Sequence, residues 1–189
     1  MTIIKQQGPE GSLQAHKDEL RNLQVPNMDE FFHEPVLGPH PLPVHVLTAE
    51  EAATQDLTRP PAAWRFVFSL DSYPSYADVE LVDGGLVVES LAEGRAADLL
   101  HLALPFAGKQ GDSFAISVLE VPALNEVALW LRGQKEDFFL EILRRGRQAD
   151  FRTLRSREYL LDLSQAMEAS YVFSDTSTRS PGNGNDLGK

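Results

Sequence analysis

Two groups of side chains in this sequence have the chemistry to hold a ligand or move a proton. The first is His33, Glu34, His40 and His45, set in a proline-rich stretch. Imidazole and carboxylate bind zinc or copper, and three histidines can make an open catalytic site. Their spacing matches no metal signature, and a segment rich in proline holds ligands poorly. Surface histidines in a loop are the better reading, and no metal or cofactor is expected. The second group is RRGRQADFRTLRSR, residues 144–157, with Arg144, Arg145, Arg147, Arg152, Arg155 and Arg157. Guanidinium pairs bidentately with phosphate or carboxylate. In an acidic chain the simpler partners are its own carboxylates or those of a second protein, and these are preferred here to a phosphate ligand.

The phrase Gly-Arg-x-Ala-Asp occurs twice, at Gly94–Asp98 and Gly146–Asp150. It offers Arg95 and Arg147 as a matched pair of binding residues, although a structural signature is the plainer explanation. For catalysis there is little: no Gly-x-Ser-x-Gly, phosphate loop, His-Glu-x-x-His or dinucleotide fingerprint is present. With no cysteine in 189 residues, thiolate nucleophiles, disulfides and Cys-based zinc sites are excluded.

The elements that must position these residues follow from alternation. Phe114, Ile116 and Val118 share one side of a strand, as do Val127, Leu129 and Leu131, and then Phe138, Leu140 and Ile142. Phe66 to Leu91 reads as an earlier copy. With Phe114 set on Phe66, Pro122 falls on Pro74, Val127 on Val79 and Leu129 on Leu81. Past a longer turn, Arg147 falls on Arg95 and Asp150 on Asp98. Asp83-Gly84 is a tight-turn signal between strands at 77–82 and 86–91. Helices are expected over 13–24, after Asn27, from a Thr48/Glu51 capping box to Leu57, from Ala96 to Pro105, and over 156–170. His33–Pro43 reads as an extended arm.

The expected fold is therefore α+β: a mainly antiparallel sheet from a duplicated strand-strand-strand-helix unit, with helices on one face and flexible termini. Residues 1–43 form an N-terminal arm, and 44–173 a single domain with repeats at 66–98 and 114–150. Residues 174–189 form a disordered tail. In outline this architecture resembles small acidic secretion chaperones, acidic immunity proteins and duplicated ligand-binding modules, and no motif selects among them.

A net charge of −11 argues against nucleic acid and against anionic membrane surfaces, and it suits a basic protein partner or a second copy of the chain. Without a signal-peptide core or a membrane-length apolar run, a cytoplasmic protein is expected. The leading functional expectation is a non-catalytic protein-interaction module, with Arg95, Arg144, Arg145 and Arg147 as candidate contacts. The alternative is a small-ligand binder with an apolar pocket between the repeats, walled by Trp64 and Trp130.

Overall fold

The structure, a computed structural model, describes residues 3–22, 40–70, 73–109 and 113–176. Alternating apolar residues build two antiparallel meanders of three strands. The first is β3 (Ala63–Leu70), β4 (Tyr73–Val82) and β5 (Gly85–Glu93). The second is β6 (Phe114–Val121), β7 (Glu126–Arg132) and β8 (Phe138–Arg144). Between them runs β2 (Leu42–Val46), antiparallel to β3 and parallel to β6. Three short strands complete the sheet. β1 (Ile3–Ile4) lies parallel to the start of β6, while β9 (Arg147–Gln148) and β10 (Thr153–Arg155) pair with β8. The strand order is β10-β8-β7-β6-β2-β3-β4-β5.

Helices cover both faces of this mostly antiparallel sheet, not one face as expected. Val44, Val67, Val118, Leu129 and Leu140 point one way, onto Leu99, Leu100, Ala103 and Leu104 of α3 (Arg95–Ala107). Leu119, Ala128, Trp130 and Phe139 point the other way, toward α4 (Ser156–Thr176) and α2 (Ala49–Thr54). α1 (Ser12–Asn22) joins that second face. Its His16 stacks on Phe66 with 4.9 Å between ring centroids. The reason lies in β6, whose successive residues Val118 and Leu119 are both fully buried, so each face needs its own cover.

Other expectations shift in detail. The Thr48/Glu51 capping box forms, but α2 ends at Thr54, where Gln55 turns left-handed. α3 runs past Pro105 to Ala107. Residues 1–12 are not a loose lead throughout: Ile3–Ile4 adds to β6, and the Gln6 side chain donates to the Ile116 carbonyl at 2.8 Å. Leu42 and Pro43 belong to the central strand β2 and not to an arm. Pairing with β6 begins only at Val44, so the missing N–H of Pro43 forfeits no bond on that side. The helix expected after Asn27, His33, and the tail beyond Thr176 lie outside the described residues.

The sheet contains two three-strand meanders, but the expected duplicated strand-strand-strand-helix unit does not follow from them. Pro74 lies inside β4 opposite Ser69, whereas Pro122 opens a 3-10 turn between β6 and β7. Arg95 begins α3, whereas Arg147 lies in β9. Val79 is buried like Leu129, but Leu81 is 63% exposed near the tip of the β4–β5 hairpin. No helix of the described residues is long and apolar enough to cross a membrane.

Arg65 and His16 are two of the polar residues buried within this packing. Arg65 Nε and Nη2 donate to Asp78 at 2.8 and 2.7 Å. Its Nη2 also lies 2.9 Å from Glu120 on β6, so the cluster spans β2. Burial works to lower the Arg65 pKa, and the two carboxylates more than reverse that. Asp78→Ala leaves a buried, half-paired guanidinium and is expected to cost about 3–5 kcal/mol in urea unfolding. His16 is the second group. Burial lowers its pKa from 6.5 to about 4, so the unfolded chain takes up the proton first. Its contribution is complete above about pH 6.5 and is lost as pH falls toward 4, a swing of about 3 kcal/mol. Urea midpoints at pH 7 and pH 4.5 should differ much less in His16→Leu than in the wild type.

Candidate functional site

Local backbone features gather the arginines at the β8 edge of the sheet. β8 carries a bulge. Leu143 pairs with Val127 and Glu141 with Ala128, which leaves Ile142 as the extra residue. Both Ile142 and Leu143 therefore pack on the α3 side. The bulge also swings Arg144 to the α4 side, the side of Glu141, from which simple alternation would have turned it away. There Arg144 Nη2 reaches Asp162 of α4 at 2.5 Å, and Nη1 lies 3.4 Å from Glu141.

The chain then reverses through Arg145 (φ 49°) and Gly146 (φ 72°), a two-residue turn with both residues left-handed. Asn or Asp is the usual first residue of such a turn, as Asp83 is in the β4–β5 hairpin. Arginine there is a costlier choice. The turn is also clamped. Gly146 N donates to the Asn125 carbonyl at 2.8 Å, and a Cβ on Gly146 would stand 2.7 Å from Asn125 Nδ2. Beyond the turn Arg147 pairs directly with Arg144, which places two like charges opposite each other.

Arg144, Arg145, Arg147 and Arg152 line a groove of about 690 Å³, with Glu141 and Asp150 also in its wall. Three arginines of the run are satisfied internally. Arg144 pairs as described, Arg152 meets Glu158 at 2.9 Å, and Arg155 lies 3.7 Å from Glu136. Arg145 and Arg147, both exposed, make no ion pair among the described residues. Internal pairing thus accounts for three of the six arginines; Arg157 is likewise exposed without an ion pair among the described residues, and Arg145 and Arg147 line the groove.

Behind the groove, Glu126, Glu141, Arg144, Tyr159 and Asp162 enclose a niche with no room for a water molecule. Burial raises the Glu126 and Glu141 carboxyl pKa values, opposed by Arg144. Burial also raises that of the Tyr159 phenol, with Glu126 and Glu141 adding to it. The niche anchors Arg144 to α4. None of this was read from sequence. The available signal was Glu141 itself, a charge between Phe139 and Leu143 in an otherwise apolar strand.

The remaining candidates are dispersed. Arg95 starts α3 beside β5, at the opposite edge of the sheet from Arg147. Trp130 is core: it stacks on Phe139 and donates from Nε1 to Asp137 at 2.9 Å. Trp64 is half-buried on β3. Neither tryptophan borders the second groove, about 510 Å³, formed by Val46, Leu47, Ala49, Arg59, Pro122 and Ala123 among others. His45 is buried beneath Arg59, whose carbonyl lies 3.2 Å from Nδ1, and burial lowers its pKa. Among the described residues no cluster of three His, Asp or Glu side chains has metal-binding form.

Comparison with known protein families, with curated proteins and with solved structures finds no match for this chain.

The clamped turn yields a direct expectation. Gly146→Ala combines left-handed strain with a clash against Asn125 and should destabilise by about 1–3 kcal/mol. Asn125→Gly removes the obstructing side chain, so a double-mutant cycle by urea unfolding should show part of that loss recovered.

Proposed function

We propose that this chain is a non-catalytic protein-interaction module whose docking surface is the arginine groove, and that it takes an acidic segment of a partner protein. One observation carries the reading: Arg144 and Arg147 are held directly across from each other on the β8–β9 hairpin, with Arg145 forced into its turn. Like charges directly opposite destabilise a strand pair by a few tenths of a kcal/mol to about 1 kcal/mol. Arginine in a left-handed turn adds to that cost. Neither arrangement helps the fold, while both concentrate positive charge at one rigid spot of a chain whose net charge is −11. An incoming carboxylate relieves the repulsion and gains charge-assisted hydrogen bonds.

The acidic remainder of the surface has a role in this reading as well. It repels acidic partners in other poses, so that only a segment entering at the β8 edge docks. A cytoplasmic setting suits the absence of cysteine.

The test is a fluorescence-anisotropy titration with a labelled glutamate-rich twelve-residue peptide. Wild-type protein should bind it, more weakly as salt rises. Arg145→Ala/Arg147→Ala should weaken binding at least roughly tenfold, and Arg95→Ala, at the far edge, should not. The double variant should also unfold at an equal or higher urea concentration than wild type, because a repulsive pair has been removed. Undiminished binding by the double variant would sink the reading.

A further inference from the structure

The groove does not end at its arginines. Between Asp150 and Arg152, both in its wall, stands Phe151 with φ 51°. A left-handed backbone is an outlier for a bulky residue and persists only where the surroundings hold it. Packing holds it here. The half-buried ring rests against the core on the α3 side and stacks on Phe106, 5.1 Å between centroids at 29°. Phe106 is itself 44% exposed, and Leu102, one turn earlier on the same side of α3, is 54% exposed. Lys109 Nζ stands 5.3 Å from the centre of the Phe106 ring.

A single exposed apolar side chain needs no explanation. Two aligned on one helix face, propped by a strained aromatic and bordered by cations, call for one. The ridge of Leu102 and Phe106 lies on the α3 side with Lys109 beside it, and Phe151 brings it to the sheet edge, where the neighbouring Asp150 and Arg152 belong to the groove wall. A segment covering the ridge reaches the arginines by passing round that edge.

We infer that ridge and groove form one docking surface for an acidic peptide segment that also carries an apolar anchor residue. The inference rests on the groove reading and adds the anchor. The carboxylates would lie against Arg145 and Arg147, where charge sets orientation and encounter rate. The anchor would cover Phe106 and Leu102, where apolar area leaves water and slows dissociation. Net positive charge beside an exposed apolar ridge also discriminates: a purely apolar segment leaves the arginines unpaired, and a purely acidic one leaves the ridge wet.

The experiment compares two labelled twelve-residue peptides with the full chain, one of glutamate and serine only, the other identical except for a single tryptophan near one end. The tryptophan peptide should bind roughly tenfold more tightly to wild type. Phe106→Ala should remove that advantage without changing the affinity of the peptide that lacks tryptophan. Leu102→Ala, which alters a more exposed position, serves as a second variant with little bearing on folding, and urea midpoints check both. If both peptides bind wild type equally, or if neither variant reduces the advantage, the anchor inference is overturned while the groove reading stands. If Arg145→Ala/Arg147→Ala leaves both affinities unchanged, the two readings fall together.

Discussion

The sheet exists as one body because β2 joins two meanders that would otherwise be separate. It is short, it contains a proline, and it must satisfy neighbours of opposite direction, β3 antiparallel and β6 parallel. A strand in that position has no solvent edge, so its residues are selected for burial on both sides. Leu42 and Val44 face α3, and His45 faces Trp130. The Arg65 cluster reinforces the joint by carrying an ion pair from β3 over β2 to β6. A buried ion pair is weak evidence for net stability, since desolvation offsets much of its attraction. Its firmer effect is positional: any slip between the meanders would part Arg65 from Glu120.

With the two meanders joined, the sheet has two ends of different character. At the β5 end the edge strand carries a bulge, where Asp78 pairs with Ser90 and Val79 with Val88, and a conventional Asp-Gly turn. At the β8 end the corresponding devices are put to another use. The bulge at Ile142 swings Arg144 toward α4, and a left-handed turn holds Arg145. Asp162 and Glu141 then pair with Arg144, while the hairpin's other two arginines make no ion pair among the described residues. The result is a local reversal of charge sign on an acidic protein, built on backbone features that do not move easily.

Charges at this edge fall into two groups, internal pairs and exposed cations. The carboxylates buried against Arg144 sit in a dry niche, where burial holds their pKa values above the ordinary range and the arginine counters it. Those groups serve the fold. Arg147 sets a like charge opposite Arg144, Arg145 takes a left-handed backbone, and neither makes an ion pair among the described residues. Residues that weaken a fold while remaining ordered at a surface groove are where binding is expected to be located.

Much of this was legible in the sequence. Apolar alternation gave the six long strands, the Thr48/Glu51 pair gave α2, and the charge run at 144–157 marked the region of the groove. These are local signals, set by side-chain periodicity and by hydrogen bonds that close within a few residues. What the sequence could not decide was every relation between segments. Pro43 argued against a central strand, and only the register of its neighbours makes it acceptable there. The phrase Gly-Arg-x-Ala-Asp suggested one paired site, but strand order sends Arg95 and Arg147 to opposite edges. The arginines looked equivalent as a run, and tertiary packing divided them: a one-residue bulge turned Arg144 toward Asp162 of α4, and Arg152 met Glu158 of the same helix. Local pattern determines what each segment can become. Which charges end up opposed and which end up free depends on contacts between residues distant in sequence, and those form only when the sheet closes around β2.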